Sequence, residues 1–343
     1  IILNYSFIIF YCIPKTRFSN FKKQSKKGFK MMSIAFLFSL FSIHYGRLMP
    51  EKTLGFYCLI ADNTVVNYTD SDYWQPQLYP YQINGSNVIF LTFIEPETMT
   101  VPPAMSYLSL NRDRQGCPTS QQKVIYSVGG YSYSQKSWSW LATQSQAESM
   151  AAKVAQWQSK YNVDGIDLDI ESPAGNGNTA GNNLVAFARK LKQLNPNFII
   201  TQPVYGYPQV QAEIDMVNNG WTKDAQSTGL ADTIGIMVYQ DLQSLQYVKD
   251  YQNGTSEWSG FPITVDVTPG DILTGIQGSA SASTINEMAQ DVKEQQLGGF
   301  MVWLASVYDG TRNTPAFTYA GGNGDASKAK SPAWEQALNT MLT

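Results

Sequence analysis

The feature that most constrains the fold of this chain is a series of eight short apolar runs separated by amphipathic stretches. The runs are rich in β-branched and aromatic residues, which is typical of strands buried on both faces. They occupy residues 53–60, 87–94, 123–130, 163–171, 198–206, 232–240, 262–267 and 299–306. Such strands alternating with helices predict a parallel sheet covered by helices, and eight units in about 290 residues match an α/β fold of the (β/α)8 TIM barrel type.

Several of the intervening stretches carry apolar residues at helical spacing. Amphipathic helices are predicted over residues 147–157, 184–194, 285–292 and 334–341. The third is introduced by Thr284, which with Glu287 has the spacing of a capping box. The alternative fold, a doubly wound open sheet, is disfavoured because no G-x-G-x-x-G or phosphate-binding loop follows an early strand.

The first 50 residues differ in character from the rest of the chain. They contain eight Lys or Arg and no acid, and an apolar run of about a dozen residues follows Met31 and Met32. A basic flank before such a run predicts a secretory signal peptide, with translation starting at Met31 or Met32 and residues 1–30 as upstream sequence. The run is shorter than the roughly 20 residues of a membrane span, so we expect no stable membrane association. Residues 51–343 are expected to form a single domain.

The body of the chain is acidic and contains no histidine. From Glu51 onward there are 16 basic and 27 acidic residues, a formal charge of −11, which disfavours nucleic acid as a partner. The single histidine, His44, lies in the predicted leader. The body therefore has no Ser-His-Asp or Cys-His arrangement and no histidine-based metal site. Any catalysis must use carboxylates, Tyr, Trp and amides, and we expect neither a metal nor another cofactor.

Other features agree with a secreted, extracellular protein. Glycosylation sequons begin at Asn67, Asn84 and Asn253. Two cysteines follow the leader, Cys58 and Cys117. An oxidising compartment would allow them to form a disulfide, and the alternative is two separate buried thiols.

The fourth predicted strand, "VDGIDLDIES" (163–172), combines apolar residues with a row of acids. Because side chains two apart on a strand share a face, Asp167, Asp169 and Glu171 are predicted to point into the barrel interior. Glu171 comes last, at the carboxyl-terminal mouth where barrel enzymes hold their active sites. Three such carboxylates cannot all ionise cheaply, so at least one pKa rises, and a protonated Glu171 would be a general acid. A divalent-metal site and a solvated edge strand are the alternatives. Asp164 has the opposite parity and is predicted to be a structural hydrogen-bonding residue.

Four motifs resemble those of one enzyme family. The segment "DGIDLDIE" (164–171) resembles the D-G-x-D-x-D-x-E signature of family 18 glycoside hydrolases, the chitinases and their relatives. In the same order, "SVGG" (127–130), "MVYQ" (237–240) and "GGFMVW" (298–303) resemble its S-x-G-G, M-x-Y-[D/N] and last-strand patterns. The resemblance covers residues 52–343. About 17 residues separate the predicted seventh strand from Thr284, too few for the inserted α+β subdomain of many bacterial and animal chitinases. The resemblance therefore implies a compact, plant-type barrel.

The resemblance also implies a retaining hydrolysis in which the 2-acetamido group of the substrate is the nucleophile. Glu171 would protonate the glycosidic oxygen and later activate water. Asp169 would orient the acetamido nitrogen, and Asp167 behind it would take up proton or charge. Tyr239 would hydrogen-bond the acetamido carbonyl, and Trp303 would form the floor under the sugar.

Further substrate contacts are expected along the same strands. They are predicted at Tyr57, Phe93, Gly130, Gln202, Met237 and Gln240. Gln240 is a departure, because the family usually has Asp or Asn after the tyrosine. The resemblance implies an endo-acting chitinase that hydrolyses β-1,4-N-acetylglucosamine polymers, and we expect a monomer. The alternatives are an endo-β-N-acetylglucosaminidase acting on N-glycans and a non-catalytic chitin-binding lectin on the same barrel.

Overall fold

The computed structural model describes most of the predicted domain. The described residues are 47–60, 85–114, 117–171, 178–205, 232–239, 269–278, 280–308 and 325–343. They all belong to one compact unit, Tyr45–Thr343. The predicted signal peptide and the asparagines of the three sequons lie outside the described residues. None of the described helices combines the length and apolar character that crossing a membrane requires.

Eight strands form a closed parallel barrel. They are β1 (Thr53–Ile60), β2 (Val88–Ile94), β3 (Lys123–Gly129), β4 (Gly165–Asp169), β5 (Ile199–Tyr205), β6 (Thr233–Tyr239), β7 (Ile272–Gln277) and β8 (Gly299–Tyr308). Each strand pairs with its successor in sequence, and β8 closes the barrel on β1. The predicted (β/α)8 architecture is confirmed.

The seventh strand lies further along the chain than predicted. Residues 262–267 are outside the described residues, and β7 is formed by Ile272–Gln277, which is in register with β6 and β8. Inside the barrel, Met301 of β8 fills the space that Gly235 and Gly275 leave, because a Cβ at either glycine would lie 3.0 Å or less from its side chain. Such packing between distant strands gives no local sequence signal.

Four residues connect β7 to the next helix, which leaves no room for an inserted subdomain.

Helices cover the outside of the barrel. The described α-helices are α1 (Pro103–Leu110), α2 (Gln144–Val154), α3 (Trp157–Tyr161), α4 (Asn178–Leu194), α5 (Ala282–Glu294) and α6 (Asp325–Leu342). Short 3-10 turns span Tyr131–Tyr133, Ser139–Leu141 and Pro269–Asp271. Helix α5 begins earlier than the capping box predicted, because the Ser281 hydroxyl accepts a hydrogen bond from the Thr284 amide and caps the helix.

The strands divide their side chains between two layers. One set packs with the helices in the large outer core, where the Trp334 indole of α6 meets the Phe56 ring edge-on at 5.6 Å. The alternate set fills the barrel interior with a smaller apolar cluster that includes Tyr57, Phe90 and Met301. This alternation determines which side chains can reach the mouth of the barrel.

Three polar side chains at the starts of even-numbered strands bind the strand before them. The side-chain oxygens of Asn87, Asp164 and Asp232 accept hydrogen bonds from backbone amides of β1, β3 and β5 respectively, at 2.8–2.9 Å. Arg112 pairs with Asp164 at 2.6 Å, and Lys192 pairs with Asp232 at 2.7 Å. The predicted structural role of Asp164 is confirmed, and the same arrangement recurs at β2 and β6.

Candidate active site

The acids of β4 form a row from the barrel interior towards its mouth. Their neighbours Ile166, Leu168 and Ile170 belong to the outer core. Asp167 is fully buried, Asp169 is 4 % exposed and Glu171, two residues beyond the end of the strand, is partly exposed. The row therefore begins without solvent contact and ends where solvent reaches the carboxyl-terminal end of the barrel.

Asp167 is held by hydroxyl groups from three other strands. The hydroxyls of Ser127 (β3) and Tyr57 (β1) donate to its Oδ2 at 2.6 and 3.2 Å. The Thr201 hydroxyl (β5) donates to its Oδ1 at 2.6 Å. Burial raises the pKa of Asp167 from 3.8 to about 6, against the three hydrogen bonds, which favour the carboxylate. Asp167 can therefore gain or lose a proton in mildly acidic solution, where an ordinary aspartate stays ionised.

Tyr57 connects the acid row with the aromatic side chains of the interior. Its ring stacks on Phe90 with centroids 4.3 Å apart and planes 9° apart. Burial raises the pKa of Tyr57 well above its usual value, and the charges of Asp167, Asp169 and Tyr239 raise it further. Tyr57 is therefore a neutral hydrogen-bond donor at ordinary pH. Because Tyr239 is the last residue of β6, its interaction with Tyr57 places the end of that strand in the same site as the acids of β4.

Trp303 and Phe93 form an aromatic surface near the mouth. The Trp303 ring is partly exposed and lies 5.5 Å from Phe93 and 5.9 Å from Tyr57. The space beside Gly130 is filled by Phe93, because a Cβ there would lie 2.5 Å from Cζ of that ring. Gly130 has a φ of +78° and its amide donates to the Asp169 carbonyl at 2.8 Å. Gly130 therefore allows the Phe93 ring to approach closely, and the sugar contact expected at Gly130 stays a prediction.

The inner face of β6 contributes two of the predicted residues. Met237 is partly buried and packs against the interior cluster. Tyr239 ends the strand, is partly exposed and has a φ of +49°, a left-handed backbone conformation that is uncommon outside glycine. Gln240 lies outside the described residues.

The predicted sugar contact at Gln202 is wrong. Because Thr201 points to Asp167 inside the barrel, the next side chain along β5 points to the opposite face. Gln202 is in register with Ile234 of the outer core, and it is fully buried. Neither atom of its amide has a hydrogen-bond partner in the described part of the chain. Gln202 is therefore a buried polar residue of the layer between strands and helices.

The predicted disulfide is also wrong, because the structure has no bond between Cys58 and Cys117 and both are buried. Cys58 lies near the carboxyl end of β1 and faces the outer core. Cys117 lies six residues before the start of β3, and Gln122, which directly precedes that strand, donates to the Ser86 carbonyl at the amino end of β2. The two cysteines thus belong to opposite ends of the barrel, whereas a disulfide needs Cα atoms within about 7 Å. Burial raises the pKa of the Cys117 thiol to about 11.

Three residues of the candidate site were not predicted from the sequence. Ser127 and Thr201 bind Asp167, and the alternation of β3 and β5 could have revealed both once the interior face was assigned. Gln277 is in register with Trp303 at the end of β7, is partly exposed, and shares the interior face of Leu273 and Gly275. It was missed because the seventh strand was placed elsewhere.

The fold matches solved structures of low sequence identity. A chitinase from Rhizomucor miehei aligns with a TM-score of 0.55 at 14% identity, over 82% of this chain and 99% of that chain. The catalytic domain of a chitinase from the fern Peteris ryukyuensis aligns at 0.52 and 17% identity, over 84% and 99%. A chitinase-like agglutinin from Robinia pseudoacacia aligns at 0.52 and 12% identity, over 82% and 99%. At these identities the similarity concerns the fold.

The sequence itself matches a family profile. No curated protein is similar enough in sequence to match the chain. The profile of the glycosyl hydrolases family 18 matches residues 61–240, which is more than half of the chain and includes the acid row of β4. The match agrees with the closed eight-stranded barrel and includes three of the four motifs, those at 127–130, 164–171 and 237–240. The chain belongs to glycosyl hydrolase family 18.

Proposed function

We propose that the protein is an endo-acting chitinase that hydrolyses β-1,4-linked N-acetylglucosamine polymers. The observation that carries the proposal is the gradient of exposure along the row Asp167, Asp169 and Glu171. A proton donor must meet the glycosidic oxygen at a surface that substrate can reach, and Glu171 is the partly exposed member of the row. The hydroxyl groups that hold Asp167 lie deeper in the barrel, where water does not compete for their hydrogen bonds.

In the proposed mechanism Glu171 protonates the glycosidic oxygen as the bond to the anomeric carbon breaks. The carbonyl oxygen of the substrate's own 2-acetamido group attacks that carbon and forms a cyclic intermediate. Asp169 accepts a hydrogen bond from the acetamido N–H and stabilises the positive charge. Tyr239 donates to the acetamido group, and Trp303 packs under the sugar ring. Glu171, now ionised, takes a proton from the water that opens the intermediate.

Asp167 supports this cycle from below. Its pKa of about 6 lies within the range in which it can share a proton with Asp169 above it. When Asp169 needs negative charge to stabilise the acetamido group, Asp167 can hold the shared proton. Ser127, Tyr57 and Thr201 keep the carboxyl group fixed in either state, since hydroxyl groups can also accept hydrogen bonds.

The test is hydrolysis of N-acetylglucosamine oligosaccharides by the wild type and by Glu171→Gln. Loss of the general acid and base should reduce kcat by about 10²- to 10⁴-fold while the variant still binds the oligosaccharide. Glu287→Gln makes the same chemical change at a control position, because Glu287 is an exposed glutamate on α5, outside the barrel. Equal rates for the wild type and Glu171→Gln would refute the assignment.

A non-catalytic lectin is the second candidate, because one protein of similar fold is described as a chitinase-like agglutinin. Binding of the oligosaccharides without turnover by the wild type would favour the lectin. Release of glycans from a high-mannose glycoprotein, without cleavage of the oligosaccharides, would instead favour an endo-β-N-acetylglucosaminidase.

We further propose that the protein is secreted and acts as a monomer. The apolar run after Met32 and the three sequons support secretion. Protein recovered from the medium of expressing cells should have an amino terminus beyond that run and a monomer's mass by light scattering. Retention inside the cells, or a larger assembly, would contradict these expectations.

A further inference from the structure

We propose that Thr201 is a positioning residue that controls the orientation and the protonation of Asp167 through a hydrogen bond to its Oδ1. The catalytic consequence of this inference rests on the proposed function. The effect of Thr201 on the orientation and protonation of the Asp167 carboxyl group does not. Thr201 is 2 % exposed, and its hydroxyl lies 2.6 Å from Oδ1.

The two oxygens of Asp167 have different partners. Oδ2 accepts hydrogen bonds from both Ser127 and Tyr57. Oδ1 has one donor in the described part of the chain, the Thr201 hydroxyl. Without Thr201, Oδ1 would stay buried with no donor, which disfavours the ionised form. Thr201 therefore differs from the other two donors, because no other described group donates to Oδ1.

The bond also determines how Asp167 faces the rest of the row. A carboxyl group held at one oxygen can rotate about its Cβ–Cγ bond, whereas donors on both oxygens fix its plane. The three donors come from β1, β3 and β5, so they approach from both sides of β4. The plane that results decides which lone pairs remain for a proton shared with Asp169, two residues further along the strand.

A test of this effect must distinguish the titration of Asp167 from the titration of other groups near it. Among the described side chains, those on the interior face from Asp167 to the mouth are Tyr57, Asp169, Glu171 and Tyr239. The Thr201 hydroxyl donates its hydrogen bond to Asp167 and to none of these groups. Replacing it therefore leaves the other groups chemically unchanged, and a shift in titration would report on Asp167.

The neighbouring strand offers a matched control. Thr233 of β6 is in register with Thr201, is 1 % exposed and lies on the same face. Its hydroxyl has no hydrogen-bond partner among the described residues. Thr201→Val and Thr233→Val make the same chemical change at adjacent positions, and only the first removes a hydrogen bond to Asp167.

The experiment measures the pH dependence of unfolding, without substrate, for the wild type, Thr201→Val, Thr201→Ser and Thr233→Val. Burial already raises the pKa of Asp167, and loss of one donor should raise it further by about one unit, a tenfold gain in proton affinity. The wild-type loss of stability between about pH 4 and 6 should extend to about pH 7 in Thr201→Val. Thr201→Ser should restore the wild-type curve, and Thr233→Val should not move it. Thr201→Ala, which adds no methyl group beside Oδ1, gives a second measurement of the same shift.

The same variants are then assayed on oligosaccharides across the pH range. The ionisation that Asp167 contributes to the pH–rate profile should move to higher pH in Thr201→Val and return in Thr201→Ser. An unfolding curve that is the same for Thr201→Val and Thr233→Val, or a failure of Ser to restore it, would overturn the inference. If no variant cleaves oligosaccharide but the unfolding curves shift as expected, the proposed function fails and the role of Thr201 stands.

Discussion

Replacing Asp167 by Asn should remove a pH-dependent loss of stability. The wild-type carboxyl group is completely buried, and its pKa in the folded protein is about 6, compared with 3.8 for an ordinary aspartate. Because the folded pKa is the higher one, the folded state binds the proton more tightly. The stability that Asp167 contributes is therefore fully present below pH 4 and is lost as the pH rises through 6.

The size of the effect follows from the difference between the two pKa values. A shift of about 2 units corresponds to roughly 3 kcal/mol, since each unit represents about 1.4 kcal/mol. Asn is nearly isosteric and does not titrate, and the three hydroxyl groups around it can reorient to donate or accept. Relative to Asp167→Asn, the wild type should thus lose roughly 3 kcal/mol of unfolding free energy between pH 4 and pH 7. For a domain of this size the corresponding change in the Tm difference is about 6 °C.

The assay is urea unfolding followed by tryptophan fluorescence at intervals from pH 4 to pH 8. Only the difference between the two proteins is interpreted, because other buried acids titrate in both. Asp232, whose pKa burial also raises, is one of these, and its effect cancels. A free-energy difference that stays constant across this range would show that Asp167 does not titrate there, and the proposed proton sharing with Asp169 would lose its basis.

Two further substitutions test residues that the sequence analysis misassigned or missed. Gln202→Met should raise the unfolding free energy by about 1–2 kcal/mol in urea titrations, because it removes a buried amide without hydrogen bonds, and it should leave hydrolysis unchanged. A loss of activity would instead restore Gln202 as a sugar contact. Gln277→Leu should raise the KM for N-acetylglucosamine oligosaccharides about fivefold with little change in kcat, as expected for one lost hydrogen bond beside Trp303. An unchanged KM would show that the Gln277 amide does not contact the sugar.

The acid row was predictable from the sequence because its alternation is strict. Only one orientation of the strand buries Ile166, Leu168 and Ile170 in the outer core. In that orientation Asp167 and Asp169 face the barrel interior. The same alternation was not applied to β5, where Gln202 was predicted to contact the sugar. Register with Ile234 shows that the adjacent Thr201 faces the interior instead.

The remaining errors come from relations between distant parts of the chain. The strand β7 contains Gly275, which lowers its strand propensity, and its position is stabilised by Met301 from β8. An oxidising environment allows a disulfide but gives no distance between Cys58 and Cys117. The hydroxyl donors to Asp167 come from three strands, and only the closed barrel brings them together.

The hydrogen bond from the Val124 amide to Asp164 aligns β4 with β3 at the amino-terminal rim. Asp164 precedes Asp167 by three residues, or about 10 Å of extended chain. A slip of one residue between these strands would exchange the two faces of β4, turning its aliphatic side chains inward and its acids towards the helices. Asp164, on the rim opposite to Glu171, therefore helps to decide whether the acids of β4 face the barrel interior at all.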